Sequence, residues 1–554
     1  MMVLGRRQEL MDGSWKQEAV PQSQQQESNY GSGPPSWSEG PRDLIGGTGT
    51  REAMEADKVL LASPEAREAC GVFGIYGPGE DVSRLTYFGL FALQHRGQES
   101  AGIAVSDGRE IDLFREMGLV SQIFSEEKLS ELRGDLAIGH TRYSTSGATT
   151  LANSQPMLAE WRRGQIALAH NGNLVNAVEL RRELEGKGES FEATSDSEIM
   201  LRMIAREADR AGSVEEAIAA CMPLWRGAYS LTILTPKSVI AVRDPYGVRP
   251  LCIGRLNGKA HVFASESCAL NVIGAELVRE VEPGEMVVAD KQGLRSRVVQ
   301  QSPRFALCVF EYIYMARPDS QIGSRLCYEA RRGLGRQLAR DCPAEADVVI
   351  PVPATGWPAA VGFAEESGLP FGEGLIRNWY VPRTFIQPDQ RLRELGVRVK
   401  LNPLREALKG RRVVMVDDSI VRGTTKRGIV RMIREAGAKE VHVRISAPPY
   451  RWPCYYGVDT SNRSELIGAR CTVEEIREAI GADSLGYQSV EGLLKGLKVP
   501  RRKLCMACFT GRYPITIPKD VKLSKLDLED PECQDGRGEA GDEAPHPSPT
   551  ATRA

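Results

Sequence analysis

The sequence predicts two folded units in series, an α+β sandwich over about 70–300 and an α/β unit with a parallel sheet over 304–515. The first observation is length: 554 residues far exceed the roughly 100–200 that one core accommodates. The second is a rhythm of short apolar runs between Gly, Pro and Asn breaks from Cys70 to about Val299: GVFGIYG, AGIAVSD, DLAIGHTRYST, QIALAHNGN, AYSLTILT, SVIAVRD, PLCIGRL, HVFASES and EMVVAD. That rhythm is strand-rich. Helical spacing is confined to about 176–185 and 196–208. The third is a change of pattern after a polar break at 301–303, where strands and helices alternate: helix 324–340, strand 347–351, helix 357–367, strand 374–377, strand 413–417, helix 426–436, strand 441–446. This order predicts a doubly wound parallel sheet.

Outside these units, 1–55 is rich in Gln, Ser, Gly and Pro without an apolar period and is expected to be disordered, as is the acidic tail 526–554. Met54, just ahead of the first structured run, is an expected translation start. With 71 basic and 73 acidic residues the net charge of −2 gives no electrostatic case for nucleic acid. No apolar stretch approaches the roughly 18–20 residues a bilayer requires, and 1–40 lacks the apolar segment of a secretory signal. A soluble protein without a membrane partner is expected. Twelve scattered cysteines argue against a secreted disulfide scaffold and for thiolate chemistry or metal ligation in a reducing cytoplasm.

Between Val413 and Thr425 the chain reads VVMVDDSIVRGTT. A β-branched run suits a buried parallel strand, whose C-terminal end would present Asp417 and Asp418 at the sheet's rim. Gly423 permits close backbone approach to an anion, Thr424 and Thr425 add hydroxyl donors, and the helix that follows aims its positive end at a phosphate. A cation site beside a phosphate cradle results. The alternative is a buried strand and a turn with solvated acids.

Cys70, opening CGVFGIYG, is a candidate thiol nucleophile, yet none of the six histidines is placed beside it by a local signature. Its own α-amino group, with a reference pKa of about 7.7–8.0, could take the thiol proton. That requires cleavage between Ala69 and Cys70, which makes 56–69 a pro-segment. The alternative is an ordinary buried thiol.

The segments CGVFGIYG, LQHRGQESAGI, HTRYST, AHNGNLVN and SDSEIM, in that order, resemble the glutamine amidotransferase domain of the N-terminal nucleophile hydrolases. Together with VVMVDDSIVRGTT, they make the chain from about Cys70 to Pro514 resemble the glutamine phosphoribosylpyrophosphate amidotransferase family. The resemblance implies an αββα sandwich followed by a type I phosphoribosyltransferase domain. It implies that Cys70 attacks the glutamine amide, Arg142 holds the α-carboxylate, Asn171 and Gly172 form the oxyanion hole, and Asp196 binds the α-ammonium. These roles suit the groups: a guanidinium forks onto a carboxylate and amide donors stabilise an oxyanion. Singly, Arg142 could be a surface charge, Asn171-Gly172 a hairpin turn, and Asp196 a helix cap.

For the acceptor half, the resemblance implies that Asp417 and Asp418 serve the ribose and Mg²⁺, while Gly423, Thr424 and Thr425 hold the 5-phosphate of phosphoribosylpyrophosphate. PVPATG at 351–356 matches the pyrophosphate-side loop, with Thr355 at the metal site; a Thr capping the next helix is the alternative. YVPRTFIQPDQRLRELGVRVK resembles a closing loop in which Arg383 and Lys400 contact phosphate. A solvated basic loop is the alternative, and Pro382 stands where Gly is expected. Cys308, Cys454 and the CMAC pair Cys505 and Cys508 could ligate Zn²⁺ or an iron–sulfur cluster. The resemblance implies a [4Fe-4S] cluster acting as a structural clamp. It also implies a cytoplasmic homotetramer restrained by purine nucleotide inhibitors, which moves ammonia from glutamine to phosphoribosylpyrophosphate and yields 5-phosphoribosylamine, glutamate and pyrophosphate. A phosphoribosylpyrophosphate-sensing regulator without turnover is the alternative from another class.

Overall fold

The computed structural model describes residues 16–17, 70–143, 149–378, 401–460 and 462–518. The expected pro-segment 56–69, the tail 526–554, and Arg383 and Lys400 lie outside the described residues. Of the 1–55 segment expected to be disordered, Lys16–Gln17 is described, and it forms a two-residue edge strand on Gly293–Val298.

The first unit is two antiparallel sheets face to face. One runs from that edge through Gly293–Val298, Glu285–Asp290, Val239–Arg243, Gly227–Leu234 and Gly164–Leu174 to Met157–Trp161. The other runs Glu276–Glu280, Cys252–Leu256, Ala260–Ala264, Gly71–Tyr76, Leu136–Arg142, Ser100–Ser106, Ile111–Met117. Val72, Ile138, Ala167, Ala169, Ala241 and Val287 fill the space between them. Helices Ala177–Glu185, Asp196–Ala211 and Val214–Cys221 cover the outer face of the first sheet. Val82–Ala92 and Ser267–Val272 cover that of the second, which gives the αββα layering. Gly71–Tyr76 explains why these strands read as continuous apolar runs: Val72 packs between the sheets while Phe73 and Ile75 pack under helices, so neither face meets water.

In the second unit, Val348–Pro351, Arg412–Asp417, Glu440–Ile445 and Ser484–Tyr487 lie parallel in that order. Phe371 adds a parallel bridge on the outer side of Val349. After the Val348–Pro351 strand and helix Trp357–Ser367 the chain therefore turns outward; after Arg412–Asp417 and helix Thr424–Glu435 it runs the other way. The two loops at this reversal bound the crevice where open α/β sheets bind ligands.

Two expectations need correction, and one strand was not expected. Leu375–Arg377 leaves the sheet and pairs antiparallel with Leu401–Pro403, its end residues Ile376 and Arg377 being exposed. The fourth parallel strand, Ser484–Tyr487, is half-buried throughout and too polar to read as a core strand. Thr424 and Thr425 open the helix rather than sit in the loop; Gly423, at φ +83°, is the residue that needs left-handed freedom. The two units share one core, in which Val175, Ala228 and Val248 of the first cluster with Cys308, Tyr450 and Tyr456 of the second.

Candidate active sites and a four-cysteine pocket

Cys70 is buried at the start of the Gly71–Tyr76 strand, beside the end of Leu136–Arg142, with Gly71 registered against Thr141. Its Sγ donates to the Tyr143 carbonyl at 3.3 Å and accepts from the Tyr143 N–H at 3.4 Å. Burial pushes the thiol up to about 11, even though the Tyr143 N–H and Arg142 favour the thiolate. At neutral pH this thiol is protonated, and its use as a nucleophile requires a base.

Arg142 is 2% exposed and 3.6 Å from the buried Glu99 carboxylate, which excludes a surface role. Asn171 and Gly172 lie inside the eleven-residue strand Gly164–Leu174, not in a turn. The Asn171 side chain is fully buried, and among the described residues neither its Nδ2 nor its Oδ1 has a partner. A buried amide without a hydrogen bond costs about 1–3 kcal/mol, so it is kept for a ligand or strains the fold for nothing. Asp196 is the first residue of its helix; the cap is Ser195. Its Oδ2 accepts from the Leu174 N–H at 2.9 Å, which ties the helix to the strand of Asn171. Burial opposes its charge, yet the neighbouring His170 and these hydrogen bonds hold the carboxyl below its usual range.

The sequence reading missed Glu99 and His170, although both lie within quoted segments, LQHRGQESAGI and AHNGNLVN. His170 reaches Ser197 Oγ at 3.2 Å and Asp196 Oδ1 at 3.5 Å. His140 Nε2 lies 3.0 Å from the His170 carbonyl and so bridges the two sheets next to Asn171. Burial depresses His140 to about 3. The folded protein therefore binds fewer protons than the unfolded chain between roughly pH 6.5 and 3, and stability falls as pH drops through that window by up to about 1.4 kcal/mol per unit. Thermal midpoints from pH 7.5 to 5.5 should decline less steeply in His140→Gln than in the parent. An equal slope would remove His140 as the cause.

At the sheet reversal, Asp417 is fully buried and paired with the equally buried Lys426, and its Oδ1 accepts from the Asp418 N–H at 2.8 Å. Lys426 was read only as the start of the helical pattern. Asp418 accepts from Thr355 Oγ1 across the crevice and from Ser419 Oγ at 2.7 Å. Thr355 is therefore not a helix cap; that position is Gly356, where a Cβ would sit 2.7 Å from the Val416 carbonyl. Thr424 is exposed, and the buried Thr425 Oγ1 has no partner among the described residues. Thr355, Asp417, Asp418 and the helix start at Gly423–Thr425 are thus brought together.

Cys308, Cys454, Cys505 and Cys508 line one pocket with Tyr450, Tyr456 and Tyr513. The parallel pairing of Cys308 with Cys505 draws the two ends of the second unit together. Burial raises Cys308 to about 12 and also raises Cys505 and Cys508, and a thiolate at one of these positions makes a thiolate at the next costlier still. Such a quartet favours its thiolate form only around a cation. Among the described residues no three His, Cys, Asp or Glu side chains stand close enough to hold a single metal ion. No described helix is long and apolar enough to cross a membrane.

Residues 140–272 match a glutamine amidotransferase domain and 325–451 a phosphoribosyl transferase domain. The chain is 51% identical over 483 residues to the amidophosphoribosyltransferase of Synechococcus elongatus, covering 86% of this chain and 97% of that protein. Identity to the Mycobacterium tuberculosis amidophosphoribosyltransferase is 49% over 504 residues, or 89% and 95% of the two chains. The fold superposes on the B. subtilis glutamine phosphoribosylpyrophosphate amidotransferase solved with ADP and GMP, with a TM-score of 0.77 at 48% identity, covering 82% of this chain and all of that one. The chain belongs to the amidophosphoribosyltransferase family, the glutamine-dependent phosphoribosyltransferases that catalyse the first step of purine biosynthesis.

Proposed function

We propose that Cys70, Arg142, Asn171, Gly172 and Asp196 carry the glutamine half-reaction, and that Thr355, Asp417, Asp418 and Gly423–Thr425 carry the phosphoribosyl half. The observation that bears most weight is Asn171, a fully buried amide with no partner among the described residues, on the strand of the facing sheet whose His170 carbonyl is met by His140 from the strand paired with Gly71–Tyr76. In this reading the α-amine of a mature Cys70 takes the thiol proton, a step that a thiol raised to about 11 requires. Sulfur adds to the amide carbon, the oxyanion is held by Asn171 Nδ2 and the Gly172 N–H, and the C–N bond breaks as the Cys70 α-ammonium returns its proton to the leaving nitrogen, which departs as ammonia. Water then hydrolyses the glutamyl thioester. Arg142, its charge partly balanced by Glu99, orients the α-carboxylate, and Asp196 the ammonium.

Gly423, Thr424 and Thr425 receive the 5-phosphate at the N-terminus of the twelve-residue helix Thr424–Glu435. With Lys426 on it, Asp417 serves a ribose hydroxyl rather than the cation. Asp418 and Thr355, already joined across the crevice, are the groups that fit Mg²⁺. When bound, the metal neutralises charge growing on the leaving pyrophosphate.

Four cysteines around one pocket fit a metal group; their chemistry suits Zn²⁺ and an iron–sulfur cluster alike, and the family resemblance favours a [4Fe-4S] cluster. Protein purified without oxygen should be brown and carry about four irons per chain. Stoichiometric zinc without iron would overturn the cluster. Purine nucleotides are proposed as inhibitors, since the B. subtilis relative was solved with ADP and GMP, and the family resemblance extends to a cytoplasmic homotetramer. The deciding assay is glutamate release with and without phosphoribosylpyrophosphate, and absence of stimulation counts against two coupled sites. Sequencing the mature N-terminus should return Cys70; any other residue removes the amine base.

A further inference from the structure

The loop that carries Cys454 is docked onto the glutamine site by its next three residues. Asn173 Nδ2, two residues beyond Asn171, donates to the Tyr455 carbonyl at 3.1 Å. Arg249 donates through Nε at 3.0 Å and Nη2 at 2.7 Å to the Tyr456 carbonyl. Gly457, at φ +95°, lies so close to Gly172 that a Cβ built on it would be 3.1 Å from both the Gly172 carbonyl carbon and oxygen. On the other side the turn is fixed to the second unit: the Tyr456 hydroxyl donates to the Ile515 carbonyl at 2.8 Å and its ring lines the four-cysteine pocket. Arg249 is in turn fully buried, with Nη1 3.3 Å from Glu311 Oε1, and its own carbonyl accepts from Ser230, the residue registered against Asn171. One turn of the phosphoribosyltransferase unit thus abuts the backbone of Gly172 and is bonded to Asn173 beside it and to Arg249.

We propose that the Tyr455–Tyr456–Gly457 turn is a positioning element of the glutamine half-reaction, with Asn173 and Gly457 as positioning residues that hold the Asn171-Gly172 strand in its oxyanion-binding conformation. This rests on the assignment of Asn171 and Gly172 as the oxyanion hole. The physical reason is geometric: an oxyanion hole works only when its donors lie about 2.7–3.1 Å from the developing charge, and Gly172 itself has no side chain to be gripped. Its position is set by what abuts its backbone, and on this side that is the other domain.

The mature holoenzyme with Asn173→Ala should lose about tenfold in kcat for glutamine hydrolysis, with KM for glutamine within about twofold, a part of the hundredfold or more that loss of an oxyanion donor costs. Gly457→Ala, which adds a Cβ at a left-handed position against Gly172, should lose about a hundredfold. Iodoacetamide alkylation of Cys70 is a displacement at saturated carbon that uses no oxyanion hole, and its rate should be unchanged in Asn173→Ala. Alkylation falling in step with hydrolysis would show a disturbed nucleophile pocket and overturn the proposal. Unchanged kcat in both variants would also overturn it. Asn171→Ala run alongside separates the readings: if it lowers kcat while Asn173→Ala and Gly457→Ala do not, positioning alone fails; if it has no effect, the oxyanion assignment fails and takes the proposal with it.

Discussion

Cys70→Ser is expected to abolish glutamine-dependent synthesis, by about 10⁴-fold or more, while synthesis from added ammonia continues at the parent rate. The magnitude follows from the thiol's setting. It is buried beside Tyr143 and Arg142, and among the described residues its hydrogen bonds are to the Tyr143 carbonyl and N–H, so a serine hydroxyl put there has no side-chain base among them and a far higher pKa to overcome. Ammonia bypasses the amide bond entirely and needs only the crevice between the loops at Thr355 and Asp418. Assaying phosphoribosylamine formation with each nitrogen source separates the two sites. Loss of both activities would mean that Cys70 is not the nucleophile but a residue on which the whole fold depends.

The second large effect concerns Lys426. Lys426→Met leaves the Asp417 carboxylate buried without its cation and should destabilise the protein by about 3–5 kcal/mol. Asp417→Asn combined with Lys426→Met removes the stranded charge and should recover most of that loss, because replacing both partners of a buried pair is far cheaper than removing one. Phosphoribosylpyrophosphate should still go unused by the double variant with either nitrogen donor, since an asparagine cannot take a ribose hydroxyl as a carboxylate does. Thermal unfolding and ammonia-dependent turnover measure the two arms. A double variant that regained turnover would reduce Asp417 to a structural anchor.

Much of the acceptor site was legible because its residues are local. Asp417, Asp418, Gly423 and Thr425 fall within nine positions of one strand-turn-helix, and local order alone places them on one rim. Thr355 was harder. Its hydroxyl meets Asp418 from 63 residues away, so the sequence leaves capping nearly as open as a metal-site role, and only the side-by-side strands set Thr355 against Asp418. The antiparallel excursion of Leu375–Arg377 was illegible because three apolar-polar residues do not state which strand they pair with.

Apolar periodicity and the family resemblance were enough to expect the two units and their layer types, and motif order was enough to propose site residues, because both are properties of neighbouring residues. Tertiary structure alone decided which charges meet and which amide has no partner among the described residues. Arg96 reaches Glu266 and Glu311 across 170 and 215 residues, Arg249 reaches Glu311 across 62, and Asn173 meets Tyr455 across 282. Such pairs are set by strand register and domain docking, which bring together residues no local pattern connects, and burial then makes each pairing obligatory. That is why Cys70 could be proposed as a nucleophile from the chain while the turn that abuts Gly172 could not.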